Sequence, residues 1–178
     1  MMWMVPHIRL SGGFMKTKGI AFLGLLIALA FVLSYIEFLL PLNIGIPGAK
    51  VGLANLVVMV ALYTLGTKEA LALSFVRVLL VSLTFGNFAM LLYSLAGAGL
   101  SFLVMVIAKR IKLFSITGVS VLGGVFHNIG QIIVAIFALE TVKLVYYMPF
   151  LIVIGTISGI IIGIVAGMIT ERIKGYFL

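Results

Sequence analysis

The chain contains no cysteine and no aspartate, and charged residues make up only 9% of its 178 positions. Without cysteine, disulfides and thiolate metal ligation are excluded. Without aspartate, an aspartate-rich Mg²⁺–diphosphate site cannot be built. A soluble domain carries about 25% charged residues, so this chain has too few to cover a surface facing water. No G-x-x-x-x-G-K-[ST] phosphate loop and no H-E-x-x-H zinc motif occurs, and no apolar run contains a pair of carboxylates. No catalytic residue, metal or cofactor is expected, and the chain reads as a binding or translocation unit rather than an enzyme.

What is present is hydrocarbon. Hydrophobic residues make up 64% of the chain and the mean hydropathy is +1.38. Apolar runs fall at roughly 19–40, 51–66, 70–86, 88–108, 117–139 and 146–170, which predicts an all-α integral membrane bundle of six helices. The second and third runs, at about 16 residues, would rise only about 24 Å, so they need local thinning or buried ends. A re-entrant hairpin would strand Lys68 and Glu69 deep in the bilayer, and two short spans are the better reading. Residues 1–14 look unlike the rest and read as an extension. Residues 15–178 read as one transmembrane domain, and the apolar run continuing past "ALA" at 28–30 argues against a cleaved signal peptide.

The net charge of +8 could suggest nucleic acid, but the basic residues sit at the edges of apolar runs. With the N-terminus inside, Lys16, Lys18, Lys68, Lys109, Arg110, Lys112, Arg172 and Lys174 all face the cytoplasm. Only Lys50 and Lys143 fall outside. That asymmetry predicts a multi-pass protein of the cell membrane with both termini cytoplasmic.

Between the first two runs lies "PLNIGIPGAKVGLAN", residues 41–55, rich in Pro and Gly. Such a segment can fold over the outer face as a lid or cradle, or serve as a plain turn whose Lys50 anchors the helix. Polar residues inside the runs are few. Arg77 sits near the middle of the third. His127 and Gln131 lie one helical turn apart on one face of the fifth, beside Asn128. Asn55 stands near the outer end of the second run, Asn87 in the external "FGN" turn, and Glu37 near the outer end of the first. An unpaired Arg at mid-bilayer is costly, so Arg77 must face a partner or a wet cavity. Asn128 and Gln131 read first as interhelical bridges, Arg77 and His127 as the wall of a polar cavity open outward. The candidate substrate-binding residues are therefore Lys50, Asn55, Arg77, Asn87, His127, Asn128 and Gln131. The excess of Lys and Arg over acids favours a ligand with an anionic or acceptor-rich group.

Small residues predict where helices approach closely. Gly155, Gly159, Gly163 and Gly167 recur every four residues along the sixth run. Ala96, Gly97, Gly99 and Ser101 play a similar part in the fourth, and Gly24 with Ala28 in the first.

Three stretches, "PGAKVGLANLVVMVALYTLGTKEALALSFVRVLL", "GNFAMLLYSLAGAGLSFLVM" and "GVFHNIGQIIVA", resemble the membrane family labelled both heptaprenyl diphosphate synthase component I and Gx transporter. That family is in turn similar to the substrate-binding S components of energy-coupling-factor (ECF) vitamin transporters. The resemblance implies six helices and capture of a vitamin-like nutrient beneath the loop joining the first two. It also implies docking through small residues, here Gly24 and Ala28, to a transmembrane coupling subunit served by two ATPases. The missing phosphate loop is then expected. Other readings are a non-catalytic membrane accessory of isoprenoid or quinone metabolism, and a membrane subunit of a redox assembly.

Overall fold

The computed structural model describes residues 13–39 and 52–177. Lys50, most of the 41–55 segment and residues 1–12 of the N-terminal extension lie outside them. Among the described residues six α-helices follow one another: α1 Gly13–Leu39, α2 Leu53–Thr64, α3 Thr67–Phe85, α4 Phe88–Ile111, α5 Ile116–Leu139 and α6 Met148–Phe177. A 3-10 turn at Val142–Tyr147 leads into α6. Among the described residues there is no strand. Four segments are long and apolar enough to cross a bilayer: Gly19–Leu39, Phe88–Ile111, Ile116–Leu139 and Val142–Ile173.

Local sequence sets the boundaries. The Asn87 side chain accepts a hydrogen bond from the Met90 N–H (2.8 Å) and opens α4. Ser115 accepts from Gly118 N–H (3.1 Å) and opens α5. Each satisfies one of the orphan donors of a helix N-terminus. Between α2 and α3 the chain turns at Gly66, whose φ of 127° disfavours a side chain. Helix α3 therefore begins at Thr67, three residues earlier than expected, and Glu69 falls in its first turn, where a negative charge meets the positive end of the helix dipole.

α2 is shorter than the sequence suggested. Its 12 residues rise only about 18 Å, well under the ~30 Å hydrocarbon thickness. Burial explains how this is tolerated. Val57 through Leu62 are all buried, six consecutive positions and hence every face of the helix. α2 is the central post of the bundle, packed by α1, α3 and α6. A helix apolar all round suits a core as well as it suits lipid. Its C-terminal end is capped from another helix: the Lys109 ammonium on α4 donates to the Leu62 carbonyl and lies 4.8 Å from the Tyr63 ring centroid. The flanking helices turn large apolar side chains outward, among them Ile20, Leu25, Leu83, Leu103, Phe137 and Ile161.

α5 packs most extensively against α6 and then against α4. A β-carbon added at Gly159 would lie 2.5 Å from Val121 Cα, at Gly163 2.6 Å from Thr117 Cα, and at Gly155 2.9 Å from the Gly124 carbonyl oxygen. These three glycines form the expected face. Gly167 does not continue it, since nothing lies within 4 Å of that position. On α4, Gly97 and Ser101 share the face that meets α5, whereas Gly99 looks into open space. Gly24 and Ala28 are exposed, with nothing within 4 Å of a β-carbon at Gly24.

Candidate functional site

All six helices contribute to one cavity, which offers about 70 Å³ to the centre of a water-sized molecule. At roughly 10–15 Å³ per water on that measure, it suits a small compact molecule. It lies at the end of the bundle formed by the C-terminal parts of α1 and α3 and the N-terminal parts of α2, α4 and α6. Lys68, Lys109, Arg110, Lys112 and Arg172 belong to the opposite helix ends.

The cavity gathers most of the residues that the sequence singled out. Asn55 from α2, Arg77 from α3 and His127, Asn128 and Gln131 from α5 all line it. Arg77 is only 9% exposed, and its Nε lacks a hydrogen-bond partner. His127 and Gln131 do point the same way: a β-carbon at Gly97 would meet Gln131 Cγ at 2.8 Å and His127 Cε1 at 3.1 Å. The missing side chain at Gly97 therefore lets α4 close against the α5 residues that face the cavity.

Two residues take other tasks. Asn128 is buried and its Nδ2 donates to the Leu151 carbonyl of α6 at 2.7 Å. It joins α5 to α6 and borders the cavity while doing so. Asn87 does not reach the cavity: it is exposed and committed to capping α4. A short polar residue just before a helix reads as an N-cap on local grounds, and that signal outweighs the external-turn argument.

Other cavity residues were not among the candidate binding residues. Glu37 on α1 lines the cavity, and its charge acts attractively on Arg77. Its Oε1 accepts a hydrogen bond from the Gly52 N–H at the start of α2, which ties the ends of α1 and α2 together. Ser82, 4% exposed with an unpartnered hydroxyl, stands beyond Arg77 on α3. Ser94, Ser120 and Ser158 add hydroxyls from α4, α5 and α6. Glu37 was legible as the lone acid of its span. Serines are too common in membrane helices to stand out. Phe38 is the only Phe, Tyr or Trp among the described lining residues and also stacks on Phe85 of α3 (centroids 5.7 Å apart), as do Phe31 and Tyr35. Among the described residues no group of three His, Cys, Asp or Glu could hold a metal ion.

These features define a helical, multi-pass membrane protein with a polar cavity inside an apolar bundle. The chain belongs to the heptaprenyl diphosphate synthase component I family, also called the Gx transporter family, which it matches over residues 26–169. That name describes one component of a larger assembly. No curated protein and no solved structure matches the chain.

Proposed function

We propose that this protein is the substrate-binding membrane subunit, of the S-component type, of an ECF-like uptake transporter for a small nutrient. The observation that carries the proposal is the cavity itself. A buried arginine with an unpartnered Nε faces an internal space lined by all six helices. An arginine held in that state inside an apolar bundle is expensive unless something occupies the space. All six helices span, both termini lie on the basic, cytoplasmic side, and the cavity opens toward the outside. The exposed Gly24/Ala28 surface of α1 docks to a transmembrane coupling subunit, and two partner ATPases supply the energy.

The family name favours a second reading, a non-catalytic membrane accessory of prenyl diphosphate synthesis. A chain without aspartate would in that case serve the synthase rather than bind its Mg²⁺–diphosphate. One experiment separates the two. The protein is purified in mild detergent from its native host, and both its bound small molecules and its co-purifying proteins are identified by mass spectrometry. A water-soluble nutrient together with a coupling subunit and ATPases supports the transporter. A stoichiometric prenyl synthase with no small molecule in the cavity overturns it.

A further inference from the structure

The cavity's chemistry points to the class of ligand, on the reading that it is a substrate site. We infer that it takes a small, non-aromatic organic monocarboxylate bearing hydroxyl or carbonyl groups, with the carboxylate held by Arg77 and Ser82. Both anchors sit on α3, both are at least nine-tenths buried, and each has a polar atom without a hydrogen-bond partner, Arg77 Nε and Ser82 Oγ. Both line the cavity; a guanidinium and a hydroxyl are donors suited to an acceptor group, and the planar guanidinium fork matches a carboxylate with two parallel hydrogen bonds.

The charge of the described lining suits an anion of one negative unit. Among the described residues lining the cavity, Arg77 is the only Lys or Arg, and the Glu37 carboxylate acts on it within the same space. A diphosphate would bring two or more charges against one cation and meet repulsion from Glu37 in a medium that screens poorly. Size and lining describe the rest of the molecule. The 70 Å³ cavity holds a compact body rather than a prenyl chain. Ser94, Ser158 and Gln131 offer hydrogen bonds to oxygen atoms, and among the described lining residues Phe38 is the only Phe, Tyr or Trp on which an aromatic ligand could stack.

The test is saturable thermal stabilisation of the full-length protein in detergent, using D-glycerate and L-lactate against inorganic pyrophosphate and geranyl diphosphate. Wild type is expected to be stabilised by the two hydroxy acids and by neither diphosphate. Arg77→Gln should weaken hydroxy-acid binding at least tenfold, and Ser82→Ala severalfold. Glu37→Gln, which retains an oxygen to accept from Gly52, should strengthen hydroxy-acid binding. Should Arg77→Gln fail to fold, Arg77→Lys keeps the charge but loses the fork, and it is expected to show the same loss. The assignment is overturned if neither hydroxy acid gives a saturable shift, if a diphosphate stabilises wild type more than they do, or if the α3 variants bind them unchanged. Co-purification with a coupling subunit is scored separately. Failure of the hydroxy acids with the coupling subunit present rejects the ligand class alone, and their binding with no coupling subunit rejects the transporter reading alone.

Discussion

Replacing Gly159 with alanine tests the packing that shapes the cavity wall. The added methyl would lie 2.5 Å from Val121 Cα and 3.0 Å from both Ser120 O and Val121 N, all of them backbone atoms of α5. Carbon atoms rest at about 3.5–4.0 Å, so α5 and α6 must separate by about 1 Å, and no rotamer change relieves the contact. Overpacking of this kind costs typically about 1–3 kcal/mol, and a rigid backbone neighbour places this site near the upper end. Alanine recovers about 0.5–1 kcal/mol of helix propensity over glycine. The net expectation is destabilisation by about 2 kcal/mol, or a fall in Tm of about 4–8 °C for a chain of this size. Gly167 is the internal control, two four-residue repeats further along the same helix with nothing within 4 Å. There the propensity gain acts alone, and Gly167→Ala should leave Tm unchanged or raise it by up to about 4 °C. Far-UV circular dichroism of both variants in the same detergent decides the matter. If Gly159→Ala melts at or above Gly167→Ala, close α5–α6 approach is not what these glycines provide.

Because the chain has no cysteine, single cysteines at Ser115 and Thr141 report topology directly. An impermeant thiol reagent on intact cells should label Thr141→Cys and spare Ser115→Cys, and the reverse pattern would invert the orientation. Lys109→Met removes the ammonium that caps α2 at the Leu62 carbonyl and should destabilise by about 1–2 kcal/mol. An unchanged Tm would show that cap to be dispensable. Asn128→Ala cuts the tie to Leu151, so it should lower stability by about 0.6–1.7 kcal/mol. Ligand affinity should change less than twofold, and a tenfold loss would make Asn128 a ligand contact instead. Ala28→Trp on the exposed face of α1 should abolish assembly with a coupling subunit while leaving Tm intact, and normal assembly would move the docking surface elsewhere.

Hydrophobicity and charge by themselves pointed to a helical membrane protein, to the approximate places of its six helices, and to Arg77 and His127 as side chains that need a partner or a polar space. Those inferences rest on quantities local to the chain: run length, helical periodicity, and the energy of stranding a cation in hydrocarbon. The tertiary structure decided which apolar faces meet protein and which meet lipid. The two environments are equally apolar, so composition does not distinguish the buried centre of α2, Val57 through Leu62, from the outward faces of α1 and α3. The same ambiguity hides the fact that Gly155, Gly159 and Gly163 pack against α5 while Gly167 does not. Periodicity places residues on a face without saying where that face ends against its neighbour. Polar roles divide for the same reason. Asn128 and Gln131 differ by three positions on one helix, yet only the approach of α6 gives Asn128 the Leu151 carbonyl. Glu37 on α1 joins Arg77 on α3 across helices far apart in sequence, and no local pattern records such a contact.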